Sequence, residues 1–149
     1  MMNILIPVDG SSHALIAVHH ALRLVHAGLR VRFVVANVQE TATLYELVVA
    51  HDPAVLERVN ASAGLDLIRS AVELLEAAGM QVEQVVETGD PANTLIDILE
   101  RQGCDAVVMA AGTGGGLRAA LLGSVTQHLV DHSPVPVTVV REPVANAEE

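Results

Sequence analysis

The sequence predicts a single α/β domain, an open and doubly wound parallel sheet of five strands with helices on both faces, and three observations support this prediction. Short apolar runs rich in β-branched residues alternate with helical patterns five times along the 149 residues, as in successive strand–helix–strand units with right-handed crossovers. Hydrophobic residues make up 51% of the chain but aromatic residues only 1%, so the core must consist of aliphatic side chains packed in layers. The length fits one domain without disulfides or a structural metal.

Two strands and one helix are predicted at the start of the chain, each bounded by turn residues. An apolar run over 3–8 predicts strand one, and Asp9 begins the turn that follows it. Apolar residues at helical spacing then continue to about Ala27, where Gly28 supplies a C-terminal stop. The β-branched run over 31–38 predicts strand two.

The rest of the chain adds three strands and further helices after a less regular stretch. We expect a short helix over 44–49 and a long helix from Pro53 to Gly79. The remaining predicted elements are strand three over 82–87, a helix over 92–102, strand four over 105–110, a helix over 124–132 and strand five over 135–140. We expect the domain to span 1–141 and an acidic tail to follow over 142–149.

Composition argues against several functional classes. Acidic residues number 18 and basic residues 8, a formal charge of −10, so the surface repels phosphate backbones and nucleic acid is not an expected partner. Every basic residue is Arg, which removes the lysine that P-loop proteins place on phosphate. Cys104 is the one cysteine, so neither an intrachain disulfide nor a cysteine metal cluster is expected. The sequence shows neither a signal peptide nor an apolar stretch of membrane-spanning length, and we expect a cytoplasmic protein without membrane insertion.

Two polar clusters that contain glycine follow strands one and four, at 9–12 and 111–116. Ligands of doubly wound sheets bind beyond the carboxyl ends of the strands where the strand order reverses. With an order of 3-2-1-4-5, that crevice lies between strands one and four. A glycine-rich loop before a helix brings backbone N–H groups to phosphate oxygens, and Gly123 and Ser124 stand at the start of the last predicted helix. The pattern indicates an anion site.

Each candidate residue also has a structural interpretation. Ser124 is a preferred helix N-cap with or without a ligand, and Asp9 either accepts hydrogen bonds from a ribose or bonds the amides of its own turn. A lone Arg such as Arg118 is more often a solvated charge than a phosphate ligand. His128 and His132 stand at i and i+4, a spacing that suits a metal, but no third ligand is evident nearby.

An enzyme is not predicted, because no nucleophile is paired with an evident general base. A flavodoxin-like FMN site is disfavoured, since the turn after strand one lacks a phosphate cradle rich in Ser and Thr. A receiver domain is disfavoured as well, because Glu87-Thr88-Gly89 follows strand three where a phosphoacceptor Asp is required.

The chain resembles the universal stress protein family from Ile4 to Val140. Residues 4–11 are similar to the family's opening strand, and 89–91 are similar to its turn before the third helix. Residues 107–109, 121–126 and 134–137 are similar to the segments that end the family's domain. The resemblance implies a Rossmann-like sheet of order 3-2-1-4-5, of the kind found in adenine nucleotide alpha hydrolases. It also implies a stress-response regulatory protein, a homodimer formed through the last strand and, in one subgroup, ATP with or without Mg²⁺ at the switch point.

The resemblance carries nucleotide contacts over by position. It implies that Asp9 faces the ribose, that Val38 faces the adenine, that Pro7 lines the base pocket and that 123–125 meet the phosphates. The full set of predicted cofactor-binding residues is Pro7, Val8, Asp9, Val38, Met109, Ala110, Gly112, Thr113, Gly114, Gly123, Ser124 and Val125.

The glycine register departs from that of the ATP-binding subgroup. The subgroup has Gly, two residues, Gly, nine residues and then Gly with Ser or Thr, which places its first two glycines at Ala110 and Thr113. A Cβ at either position can collide with phosphates or forbid a positive φ. Two hypotheses follow. Either the shifted glycines rebuild a cradle for ATP, or the protein is a nucleotide-free homodimer that binds an unknown regulatory partner.

Strand five, predicted over 135–140, is apolar on both faces although it stands at a sheet edge. An exposed edge of that kind needs a partner. Pro136 removes one backbone donor and favours limited pairing. We expect a homodimer through this strand.

Overall fold

The computed structural model describes residues 1–40, 53–111 and 123–142, and the strands within them form one parallel sheet. The strands are β1 (Met2–Pro7), β2 (Val31–Gln39), β3 (Val82–Thr88), β4 (Ala106–Ala110) and β5 (Val137–Val140). Their order is β3-β2-β1-β4-β5, and every neighbouring pair is parallel. The predicted fold class and strand order are therefore confirmed.

Helices connect the strands, and a side-chain cap marks the start of one of them. They are α1 (Leu15–His26), α2 (Pro53–Ala77), α3 (Pro91–Arg101) and α4 (Ser124–His132), with a 3₁₀ turn at Ser12–Ala14 before α1. Asp90 caps α3 by accepting the N–H of Asn93 at 3.0 Å, and Pro91 takes the first helical position. Gly28 ends the turn after α1 with φ of 113°, a conformation that side-chain-bearing residues rarely adopt.

The two faces of the sheet carry separate apolar cores because successive strand side chains point to opposite sides. Ile6, Phe33 and Val35 pack under α1 and α2 on one face. Leu5 and Val34 pack under α3 and α4 on the other face. Burial on both faces explains why the inner strand β4 is continuously apolar, whereas the edge strand β3 carries the exposed residues Glu83 and Gln84.

The predicted start of strand five was wrong by two residues. β5 begins at Val137 because the Ser133 hydroxyl holds the preceding chain in a turn, accepting from the Val135 N–H at 3.1 Å and donating to the Val135 carbonyl at 2.8 Å. Pro136 has no N–H to offer a strand, although its carbonyl accepts from the Val107 N–H at 2.9 Å. β5 is therefore a four-residue edge strand.

Other predicted boundaries differ less. β1 spans Met2–Pro7 instead of 3–8, because Val8 already leads into the turn while still donating to the Ala36 carbonyl at 2.8 Å. The predicted helix over 44–49 and the tail beyond residue 142 lie outside the described residues. The domain boundary near residue 142 stays a prediction.

No helix in the described ranges combines the length and apolar character needed to cross a bilayer.

Candidate functional site

The turn after β1 presents an exposed carboxylate at the carboxyl edge of the sheet. Asp9 uses one oxygen, Oδ1, to accept the Ser11 N–H at 3.0 Å and the Ser11 hydroxyl at 2.7 Å. Gly10 allows this tight turn with φ of 90°. The structural interpretation of Asp9 is thus correct for Oδ1. Its second oxygen, Oδ2, accepts no hydrogen bond from the described residues and is open to a ligand.

Asn37 fixes the position of this turn and was missed by the sequence interpretation. It is 3% exposed between the apolar residues Ala36 and Val38 of β2, and its amide Nδ2 donates to the Val8 carbonyl at 2.8 Å. Its Oδ1 is buried and has no hydrogen-bond partner in the described part of the chain. Gly64 of α2 packs so closely here that a Cβ would lie 3.1 Å from that oxygen and 2.4 Å from Val86 Cγ1. A buried Asn within an apolar run was the signal that could have identified it.

The backbone of Val38 faces the crevice. Ala36 accepts from Val8 on the β1 side, and Gln39 accepts from the Gly89 N–H on the β3 side at 2.8 Å. Because peptide groups alternate along a strand, the N–H and carbonyl of Val38 point to the β1 side, one step beyond the last bond to β1. The described strands supply no partner for Val38 there, since β1 ends at Pro7.

The end of β4 lies beside β1, as the predicted switch point requires. Ala110 is the last residue of β4 and pairs with Val140. Its backbone is extended, and its side chain packs against the α1 and α2 core, so this alanine needs no positive φ. The predicted contact residues Gly112, Thr113 and Gly114 lie outside the described residues, as does Arg118.

His13 joins the turn after β1 to the end of β4. Its Nε2 lies 2.8 Å from the Ala111 carbonyl, and its Nδ1 lies 4.0 Å from a Glu142 carboxylate oxygen. The sequence interpretation gave His13 no role. The reason is that the contact joins residues 98 positions apart, and local spacing carries no signal for such a pair.

The start of α4 corrects the expectation that Ser124 caps its helix. Gly123 occupies the N-cap position with φ of −68° and ψ of 164°, and Ser124 is the first helical residue. The Ser124 side chain is exposed and its hydroxyl bonds no described residue, so both it and the first N–H groups of α4 suit an anion. Val125 is half-buried against the α3 and α4 core.

Two other predicted contact residues contribute only backbone. The side chains of Val8 and Met109 are 4% and 5% exposed and pack in the core. Pro7 lies at the end of β1 and pairs with Ala36. Among the predicted contact residues that the structure describes, Asp9 and Ser124 are therefore the two that expose a polar side-chain group to a ligand at this edge.

Neither the paired histidines nor the cysteine forms a second site in the described part of the chain. The rings of His128 and His132 stack with centroids 4.4 Å apart, and His132 Nδ1 bonds the His128 carbonyl at 3.1 Å. Stacked rings do not converge on one metal, and no cluster of three metal-ligating side chains occurs among the described residues. Burial raises the pKa of the Cys104 thiol, which keeps it protonated beside the opposite edge of the sheet.

A sequence model of the universal stress protein family matches residues 1–141. Among curated proteins, universal stress protein MJ0531 of Methanocaldococcus jannaschii is 25% identical over 140 residues, which cover 94% of this chain and 82% of that protein. Among solved structures, that of MJ0577, also from Methanocaldococcus jannaschii, matches with a TM-score of 0.76 at 25% identity and covers 96% of this chain and 97% of its own.

Two further solved structures contain an adenine nucleotide. A universal stress protein in complex with cAMP matches with a TM-score of 0.71 at 20% identity, covering 95% of this chain and 98% of its own. The Arabidopsis thaliana family protein At3g01520 with AMP bound matches with a TM-score of 0.71 at 17% identity, covering 100% of this chain and 97% of its own. At these identities the likeness shows the fold alone.

Proposed function

The chain belongs to the universal stress protein family, and from that premise we propose that it is a stress-response regulatory protein that binds ATP or a related adenine nucleotide at the carboxyl ends of β1 and β4. The observation that carries the proposal is the exposed Asp9 carboxylate, which keeps Oδ2 open at the point where the strand order reverses. Relatives of the same fold that hold AMP and cAMP support the adenine nucleotide as the ligand class.

The described residues suit the three parts of an adenine nucleotide. Asp9 Oδ2 can accept a ribose hydroxyl, and the Val38 peptide groups can pair with the edge of the base. The N-terminus of α4, from Gly123 to Val125, offers N–H groups and the Ser124 hydroxyl to phosphate oxygens. An acidic protein needs such local donors to hold an anion. Any Mg²⁺ would arrive with the phosphates, which are its preferred ligands.

Nucleotide binding is tested by calorimetric titration of the purified protein with ATP-Mg²⁺, AMP and GTP, after any bound nucleotide has been removed and identified. We expect saturable binding of the adenine nucleotides at one site per chain and weaker binding of GTP, because its base presents a different hydrogen-bonding edge. GTP binding as tight as ATP binding would contradict the assignment of Val38 to the base.

The alternative function is a nucleotide-free homodimer that binds a regulatory partner. The glycine register motivates it, because Ala110 and Thr113 stand where the ATP-binding subgroup has glycine. The same titration separates the two functions. Absence of binding in the parent, with binding created by Ala110→Gly and Thr113→Gly together, would assign this protein to the alternative.

Dimerisation through β5 completes the proposed function. β5 is the edge strand next to β4, and three of its four residues are valine. Its outer backbone groups can pair with the same strand of a second copy about a two-fold axis. Membership of a family whose proteins are often dimeric supports this arrangement.

A pair of charge substitutions at Thr138 tests the dimer. Thr138 is exposed on β5, and a like charge facing itself across a two-fold axis destabilises pairing. We expect Thr138→Glu and Thr138→Arg each to raise the dimer dissociation constant by about tenfold or more in sedimentation. An equimolar mixture of the two variants should recover the dimer.

The matched controls are Gln84→Glu and Gln84→Arg at the exposed opposite edge, on β3. These should leave the association unchanged. If the β3 variants dissociate the dimer and the β5 variants do not, the interface lies at β3 and the proposed β5 interface is wrong.

A further inference from the structure

His13 forms a bridge across the mouth of the crevice. The residue lies in the 3₁₀ turn after Asp9, its side chain is 23% exposed, and Nε2 lies 2.8 Å from the Ala111 carbonyl. A carbonyl oxygen only accepts hydrogen bonds, so Nε2 carries the proton in this contact. The bridge therefore connects the turn that follows β1 to the residue that follows β4.

Both ends of the bridge are held by further hydrogen bonds. Ala111 is 7% exposed, and its N–H donates to the Val140 carbonyl at 2.8 Å. On the other side, the Ala14 N–H lies 3.2 Å from the Ser11 carbonyl and 3.3 Å from its hydroxyl, and Ser11 in turn donates to Asp9. Asp9 is thus linked through its own turn and through His13 to the ends of β4 and β5.

Glu142 adds little to this arrangement. Its carboxylate lies 4.0 Å from His13 Nδ1 and is 73% exposed, so solvent screens the pair. Of the two His13 contacts, the hydrogen bond from Nε2 is therefore the one that joins the two sides of the crevice. No other side-chain hydrogen bond among the described residues joins the turn after β1 to the end of β4.

We propose that His13 is a positioning residue of the nucleotide site, which holds the Asp9 turn against the carboxyl end of β4 so that the ribose-binding carboxylate keeps its place where the strand order reverses. The proposal rests on the proposed nucleotide function. His13 acts through Asp9 and Ala111 and does not itself contact the nucleotide. Its hydrogen bond organises the site before the ligand arrives, which reduces the ordering that binding must impose.

Glutamine and leucine at position 13 separate the hydrogen bond from the bulk of the side chain. Glutamine carries an amide N–H as many bonds from Cα as His13 Nε2, so His13→Gln can still donate to the Ala111 carbonyl. His13→Leu fills similar space without a donor. We expect about five- to tenfold weaker ATP binding for His13→Leu and a change of less than about twofold for His13→Gln. His19→Leu, on the exposed face of α1, should bind like the parent.

A double-mutant cycle with Asp9→Asn tests whether His13 acts through the Asp9 turn. In Asp9→Asn the Oδ2 acceptor is already lost, so displacement of the turn lowers ATP affinity less than it does in the parent. We therefore expect His13→Leu to change ATP affinity by less than about threefold in that background. Full additivity of the two substitutions would overturn the positioning role. So would His13→Gln binding as weakly as His13→Leu, since loss of the imidazole alone would then explain both.

Amide hydrogen exchange provides a readout without nucleotide. Exchange of the Ser11 and Ala111 N–H groups should be faster in His13→Leu than in the parent and unchanged in His13→Gln. The comparison is made without denaturant, at a temperature where every variant is folded. Unchanged exchange at both positions in His13→Leu would overturn the bridge itself.

A parent that binds no nucleotide overturns the proposed function and the positioning role with it. A parent that binds while His13→Leu binds equally well overturns the positioning role alone. If His13→Leu fails to fold, His13→Ala replaces it in the same comparisons.

Discussion

Replacement of Phe33 by alanine is expected to lower the free energy of unfolding by about 3–5 kcal/mol. Phe33 is the one phenylalanine of the chain and is fully buried in β2, in the core under α1 and α2. Its neighbours are aliphatic side chains held in strands and helices, so the void can collapse only in part. A domain of this size has a total stability of about 5–15 kcal/mol, and the variant therefore loses a large share of it.

Urea denaturation followed by circular dichroism measures this loss, with protein concentration held fixed because a dimer links stability to concentration. Leu65→Ala is the matched control, since Leu65 lies on α2 with 48% of its surface exposed. The control should change stability by less than about 0.5 kcal/mol. If Phe33→Ala costs no more than Leu65→Ala, the assignment of Phe33 to a close-packed core is wrong.

Loss of the Asp9 Oδ2 acceptor is expected to weaken binding of ATP by about 10- to 100-fold. A hydrogen bond to a charged group contributes about 1.5–3 kcal/mol, and each 1.4 kcal/mol is about tenfold in affinity. Asp9→Asn is the sharpest variant, because its Oδ1 can still accept from Ser11 while an amide donor replaces Oδ2. Relief of repulsion between Asp9 and the phosphates opposes this loss, but screening beyond about 8 Å makes that effect the smaller one.

The ribose assignment has two matched controls. Asp97→Ala removes one negative charge from the exposed face of α3 and should leave ATP affinity unchanged. With 2′,3′-dideoxy-ATP as the ligand, Asp9→Asn should change affinity by less than about twofold, because this analogue lacks the ribose hydroxyls from which Asp9 accepts hydrogen bonds. An equal loss for ATP and the dideoxy analogue would show that Asp9 does not bind the ribose.

The sequence predicted the fold well because strand and helix patterns are local. β-branched runs and glycine stops placed all five strands within about two residues, and the resemblance supplied their order. β5 began later than expected because Ser133 folds back on Val135, and a side-chain turn of that kind competes with the strand without altering its apolar pattern.

The site was predictable only where a residue stands next to a strand end. Asp9 and Ser124 follow from position along the chain. Asn37 and His13 do not, because their roles depend on bonds to Val8 and Ala111, which lie 29 and 98 positions away. Ser124 was misassigned as a cap for a related reason. Gly and Ser both suit the N-cap, and only the backbone angles decide which residue takes it.

The central claim is that an adenine nucleotide binds at the carboxyl ends of β1 and β4, and titration of the parent and of Asp9→Asn with ATP-Mg²⁺ tests it most directly. The structure predicts saturable binding at one site per chain for the parent, weakened about 10- to 100-fold by Asp9→Asn. Equal affinities for the two proteins would place the nucleotide elsewhere. No binding by a folded, nucleotide-free parent would contradict the claim itself.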